Sequence, residues 1–307
     1  MEALLRKTFL VMSENRGMHR FVVGNGLTRK MSRRFIAGEM LDEALGSIRE
    51  LNAKGILATL DLLGESVESE SEARQAGADY EAILDRLAES GLKANVSLKP
   101  TQMGMDLGDA FCREIIAKVV AKAKSHGNFV RIDMEGSAYT QRTLDMFKDL
   151  LAEYGRDHVG IVLQAYLYRT EADVEEMIRL GARVRLCKGA YKEPAEVAFP
   201  EKADVDANYV KLAKRLVKDG HYPGLATHHE PMIQAVKDYV AAEGIGRERF
   251  EFQILYGIRR DLQESLVQEG FNMRCYVPYG TQWYPYFMRR LAERPANVWF
   301  IMSNMLK

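Results

Sequence analysis

From position 55 to position 280 the chain alternates between short runs rich in β-type residues and longer segments with apolar positions at helical spacing. The short runs fall at 55–63, 93–100, 128–135, 159–166, 182–191, 222–229, 250–257 and 272–280, and the helical segments at 109–126, 140–154, 171–180, 204–219, 231–243, 259–269 and 283–293. Strands alternating with helices signal a parallel sheet. Eight is the number that closes a barrel, so the pattern predicts a (β/α)8 TIM-type barrel over 55–307. The polar stretch 65–75 reads as an exposed loop or a helix start. Before the barrel, 1–54 reads as a helical segment, with helices over 2–13 and 31–53. The second has an apolar stripe of Phe35, Ile36, Met40, Leu41, Ala44, Leu45, Ile48 and Leu51. A doubly wound open sheet is the competing architecture, but no G-x-G-x-x-G follows the first strand.

Composition narrows the class. Apolar residues make up 47% of 307 and charged residues 28%, enough for a large core. The 43 basic and 43 acidic residues cancel, which gives no reason to expect nucleic acid while allowing a local basic pocket. Cys112, Cys187 and Cys275 form neither an even set nor a CxxC pair, so no disulfide framework or zinc site is expected and a reducing cytoplasm fits. The opening MEALLRKTFLVMSENRGM does not read as a signal peptide, and no apolar run reaches the roughly 18 residues of a membrane span. Peripheral membrane contact remains open, through 4–12 or the aromatic run 283–287.

Candidate chemistry collects at the C-terminal ends of the strands, where barrels of this kind carry their sites. RVRLCKGAY (183–191) places Arg185 and Lys188 where a strand gives way to a loop, beside Gly189. Such cations are costly there unless an anion or another partner meets them. Other strand ends carry Lys99, Asp133, Gln164, Thr227 with His228 and His229, Gln253 and Tyr276. Each has a plainer reading. Lys99 fits a solvated strand end, Asp133 a helix cap, Gln164 a satisfied core amide, and Arg185 an ion pair with Asp133 or Glu135. The two histidines lack a third ligand at metal-binding spacing, and no metal is expected. After the last strand, Tyr286, Arg289 and Glu293 share a helix face, and Arg289 with Arg290 could clamp a small carboxylate.

Taken together, SLKPTQ (97–102), RIDMEG (131–136), VLQAY (162–166), RLCKGAY (185–191), ATHH (226–229), FEFQILYG (250–257) and YVPYG (276–280), with residues 286–290, resemble the proline dehydrogenase family over about residues 55 to 295. The likeness is to the small monofunctional bacterial form, without the aldehyde dehydrogenase domain of the bifunctional proteins. It implies a distorted barrel holding noncovalent FAD, with a final helix over the mouth. L-proline would be oxidised to 1-pyrroline-5-carboxylate by hydride transfer to flavin N5. The electrons would pass to a membrane quinone at the inner face of the cell membrane, and the product to 1-pyrroline-5-carboxylate dehydrogenase.

Carried over by motif, Lys99, Arg289 and Arg290 would hold the proline carboxylate, with Glu293 as an ion-pair partner in the arginine helix. Asp133 would lie near the amine, to position it or to relay a proton, and Tyr276, Tyr286 and Leu255 would wall the ring. Met134, Gln164, Arg185, Lys188, Gly189, Ala190, Thr227, His228 and Gln253 match flavin-contacting positions, Arg185 nearest the reactive nitrogen. A fixed cation there would stabilise the reduced flavin. Departures from the family pattern are Cys187, which could be oxidisable beside flavin, and Lys192, which puts adenine or ribityl contacts in doubt. Tyr279, beside the mouth, could narrow the pocket against hydroxyproline. Two rival readings remain: an aldolase using Lys99 or Lys188 as a Schiff-base amine, and a non-enzymatic anion-binding protein.

Overall fold

The computed structural model describes residues 32–64 and 66–293, with side chains described as far as Met288. The helix expected over 2–13 lies outside the described residues. Eight parallel strands, β1 (Leu57–Leu62), β2 (Ala94–Leu98), β3 (Val130–Ile132), β4 (Val159–Gln164), β5 (Arg183–Cys187), β6 (Gly224–Ala226), β7 (Glu251–Leu255) and β8 (Asn272–Tyr279), close in chain order. The seam between β8 and β1 runs in register from Leu57↔Arg274 to Leu62↔Tyr279. Closure rules out the open doubly wound sheet.

The helices follow the alternation: α1 (Leu41–Ala53) precedes the barrel, and α2 (Glu70–Ser90), α3 (Asp109–Ser125), α4 (Ser137–Tyr154), α5 (Thr170–Arg179), α6 (Lys202–Asp219), α7 (Glu230–Ala242) and α8 (Arg260–Gln268) separate the strands. The last, α9 (Trp283–Glu293), follows β8. From residue 66 onward the polar stretch leads into α2, whose start is fixed by a capping box: Glu72 N–H donates to Ser69 Oγ, and the Glu72 carboxylate accepts from Ser69 N–H. Its buried stripe, from Ala73 through Tyr80 to Leu87, explains why so polar a segment is helical. The helix expected over 31–53 is interrupted over 33–40 and restarts at Leu41, where the Glu43 carboxylate accepts the N–H groups of Glu39 and Met40 and caps the chain. Met40, a member of the expected stripe, is consequently exposed.

Side chains alternate across each strand. One parity, including Ala58, Leu60, Val96, Leu98, Val130, Ile132, Val184 and Leu186, is buried between sheet and helices and forms the main core. The other parity faces the lumen, and much of it is polar or charged: Thr59, Asp61, Asn95, Ser97, Arg131, Gln164, Arg185, Glu251, Gln253 and Arg274, all buried. Ordinary barrels fill this space with branched aliphatic residues. Here the charges stay because each has partners.

The segment before α1 packs onto the end of the barrel. Ala37 N–H donates to Pro278 O and Gly280 N–H to Gly38 O, Phe35 stands 6.2 Å from the Phe287 ring, and Trp283 Nε1 donates to Glu39 at 3.1 Å. Gly257 sits in the left-handed region with φ 73°, and a Cβ there would run into the carbonyl oxygen of Arg34. Gly257→Ala is therefore expected to cost about 1–3 kcal/mol, read as a lowered urea midpoint. An unchanged midpoint would show that this seam yields without cost.

Candidate active site

The mouth of the barrel is organised by one buried arginine. Arg185, on β5, reaches across the lumen to residues of four other strands. Its Nε donates to Gln253 Oε1 at 2.5 Å, and its Nη1 donates to Ser97 Oγ at 3.0 Å and to Asp133 Oδ1 at 2.9 Å. Its guanidinium carbon lies 5.2 Å from the centre of the Tyr276 ring. Asp133 continues β3, where its N–H still donates to Leu98 O, and its carboxylate also accepts from Ser97 Oγ at 2.7 Å and Tyr276 OH at 3.0 Å. The Tyr276 phenol is pushed well above its ordinary value by burial and then by the Asp133 charge, so it remains a donor.

A second ion pair lies beside this cluster. Lys99 Nζ meets Asp61 Oδ1 at 3.0 Å, the Asp61 side chain being almost fully buried on the lumen face of β1. Burial opposes the Lys99 charge, but the carboxylates of Asp61 and Asp133 outweigh it and hold the amine above its ordinary value. Glu135 turns away to accept from Thr101 N at 2.9 Å and Thr101 Oγ1 at 2.7 Å, and burial pushes its carboxyl up. Lys188 pairs with Asp206 of α6 at 2.5 Å. Deeper in the lumen, Glu251 accepts from Arg274 Nε at 2.7 Å, and Arg131 donates to the carbonyl oxygens of Ile161 and Arg183.

The family model described as proline dehydrogenase matches residues 44–303. Proline dehydrogenase 2 of Bacillus subtilis (strain 168) is 43% identical over 304 residues, covering 99% of both chains. The proline dehydrogenase of Deinococcus radiodurans is 44% identical over 284 residues, covering 90% of each. The chain belongs to the proline dehydrogenase family. Among solved structures, proline utilization A of Bdellovibrio bacteriovorus, inactivated by N-propargylglycine, superposes with a TM-score of 0.82 at 29% identity. The match covers 87% of this chain and 33% of that one, so it spans about a third of that protein.

Around the mouth of this proline dehydrogenase-family barrel the structure gathers most of the residues singled out in the sequence. Lys99, Asp133, Arg185, Gln253 and Tyr276 form the network above. Gln164 ends β4, donating from Nε2 to Met134 O at 3.1 Å, while its buried Oε1 has no partner. Its plain reading as a satisfied amide holds for one end only. Thr227 and His228 follow β6, and Thr227 Oγ1 accepts the His229 N–H at 3.1 Å. Gly189, with φ 117°, and exposed Ala190 follow β5, and Leu255 ends β7, half-buried. Tyr286 is buried on α9. Arg289, Arg290 and Glu293 lie on α9, but their side chains fall outside the described residues.

Several plain readings are settled. Asp133 does not cap α4: Ser137 N and Oγ both donate to Glu193, which reaches in from the loop after β5, at 2.7 and 2.5 Å. The Cys187 thiol is pushed up to about 12 by burial, which makes it a poor nucleophile, and it leans on Leu163 O. Tyr279 has the strand parity of Cys275 and Val277, opposite to Tyr276, so it belongs to the sheet–helix layer and does not narrow the pocket. The aromatic run 283–287 is packed inward, with Trp283, Tyr284, Tyr286 and Phe287 all buried. A Schiff base needs a neutral amine, and Lys99 is held protonated while Lys188 is engaged by Asp206, which weighs against the aldolase reading.

Asp61, Ser97, Glu251 and Arg274 were not singled out by sequence reasoning. Each occupies a lumen-facing parity in a strand whose other parity is apolar, and that was the available signal.

The Lys99–Asp61 pair has a defined pH signature. With the folded Lys99 value above 10.5, its stabilisation is complete below that pH and is lost only as pH rises through the folded value. Asp61→Asn is expected to lower the urea midpoint by an amount worth about 2 kcal/mol at neutral pH, with the difference from wild type shrinking in strong alkali. A constant difference at all pH values would show that the charge pair is not its source.

Proposed function

We propose that this barrel holds FAD noncovalently over its mouth and oxidises L-proline to 1-pyrroline-5-carboxylate, the electrons leaving to a membrane quinone and the product passing to a 1-pyrroline-5-carboxylate dehydrogenase. Family membership supports the reaction class, and the observation that carries the reading is the Arg185–Asp133–Tyr276 constellation buried at the strand ends. The residues present suit the cofactor: the unpartnered buried acceptor Gln164 Oε1 suits a ring N–H, and Lys188, Thr227 and His228 supply polar groups nearby. Met134, Gly189, Ala190 and Gln253 complete the proposed cradle. FAD bound there would supply the hydride acceptor.

The chain's own groups then divide the work. Arg185 supplies a permanent positive charge where negative charge grows on reduction. Lys99, kept protonated by its carboxylate neighbours, would receive the proline carboxylate together with Arg289 and Arg290. Tyr276, Tyr286 and Leu255 would wall the ring. A carboxylate has about four lone-pair directions, and Ser97, Arg185 and Tyr276 take three of those on Asp133. One remains to accept an amine N–H, which favours positioning of the substrate nitrogen as the role of Asp133. Among the described residues no helix is long and apolar enough to cross a membrane, so delivery to the quinone is proposed to use peripheral contact from the cytoplasmic side.

The purified protein is expected to show a flavin band near about 450 nm that bleaches on anaerobic addition of L-proline. A colourless protein, inert after added FAD, would overturn the reading. Arg289→Met is expected to raise the proline KM by the equivalent of about 2–5 kcal/mol with flavin retained, and an unchanged KM would remove Arg289 from the carboxylate site. Arg185→Ala is expected to lower the flavin potential and slow reduction by proline, both measurable anaerobically. An unaltered potential would refute its electrostatic role.

A further inference from the structure

One layer below the mouth, Glu251 and Gln253 stand two residues apart on β7 and both face the lumen. Glu251 Oε1 accepts from Gln253 Nε2 at 2.5 Å and from Arg274 Nε at 2.7 Å, while Gln253 Oε1 accepts from Arg185 Nε at 2.5 Å. All four residues are buried. An amide can in general be turned either way, but here chemistry permits one orientation only. A carboxylate can only accept, and Arg185 Nε can only donate. A flipped Gln253 would set oxygen against carboxylate and NH2 against N–H among buried side chains, where both contacts are costly.

The amide also has little room to move. Gly224 on the adjacent strand β6 lies against it, so that a Cβ at 224 would meet the Gln253 Nε2. Burial works against a charge on Glu251, but Arg274, the hydrogen bond from Gln253 and the nearby Arg131 outweigh it, holding the carboxyl below its ordinary value. At neutral pH residue 251 is therefore a pure acceptor.

We propose that Glu251 is a positioning residue for the reaction: it fixes the Gln253 amide, and through it aims the Arg185 guanidinium at Asp133 and the mouth. Glu251 touches neither Asp133 nor, on this geometry, any group bound at the strand ends. Its influence passes along Glu251–Gln253–Arg185–Asp133, four side chains from β7, β5 and the end of β3. The proposal rests on the reading that Arg185 faces FAD.

The test compares wild-type holoenzyme with Glu251→Gln and Glu251→Met. Bleaching of the wild-type flavin by proline checks the cofactor reading by itself. In Glu251→Gln the Arg274 N–H still selects the amide oxygen, but a neutral oxygen holds the Gln253 NH2 more weakly than a carboxylate does, so the enforced orientation is loosened. The expected result for Glu251→Gln is a lowered flavin potential and a kcat reduced on the order of tenfold, with the proline KM close to wild type. Glu251→Met should do the same more strongly.

The direction of the potential separates the explanations. Loss of a negative charge alone would raise it, since the reduced flavin is the more negative form. A purely structural role would lower the melting temperature and leave both potential and kcat of the folded protein unchanged. Either result overturns the proposal. Should Glu251→Met fail to fold, Glu251→Gln decides. If the wild type carries no flavin, a crystal structure of Glu251→Gln decides instead: Arg185 displaced from Asp133 supports the positioning role, and Arg185 in place sinks it.

Discussion

Burying charge is the constraint on which this barrel depends. Arg185 and Asp133 meet in a lumen that most barrels fill with hydrocarbon, and an ion there is tolerable only while its hydrogen bonds are complete. The completion is shared out: Ser97 from β2, Gln253 from β7 and Tyr276 from β8 each satisfy part of it. Removing one member leaves the others with an unmet charge, so the cluster is kept by mutual need more than by the strength of any single contact. Lower down, Glu251 sits against Arg274 and near Arg131, where opposite charge offsets burial although Glu251 Oε2 and Arg131 Nε have no hydrogen-bond partner. Stability and the proposed function therefore draw on one set of side chains.

The fold was largely legible because its two periodicities are clean. Every β-type run became a strand, and the helical segments after the second strand became helices within a few residues. What the sequence blurred has physical causes. The helix α2 hid behind a polar surface, visible only through its Ser69–Glu72 cap and a spaced apolar stripe. The expected helix over 31–53 broke where a side-chain carboxylate, Glu43, caps better than the apolar pattern continues. The strands β3 and β6 are three residues long because their C-terminal ends give way early to the site.

The candidate site was legible where a polar residue interrupts a strand end, as with Lys99, Asp133 and Arg185. It was not legible where the role is to face another residue across the lumen. Asp61 makes sense only once β1 lies beside β2 in the register that opposes Asp61 to Ser97, with Lys99 two residues further on. Glu251 makes sense only once Arg274 is its neighbour across β7 and β8. Pairing of this kind is a property of the closed sheet, and a single sequence carries no record of it.

Closure itself has a kinetic side. Arg274 donates to the carbonyl oxygen of Ala58 across a separation of 216 residues, stitching the last strand to the first. Such a contact needs nearly the whole chain to be present, and the entropy of closing so long a loop opposes it. Tyr276 and Arg274 both arrive with β8, so a nascent or partly folded chain holds Asp133 without its phenol and Glu251 without its guanidinium. The charged lumen is thus completed only when β8 takes its place between β7 and β1, so the docking of that one strand is the step on which Asp133 and Glu251 both wait.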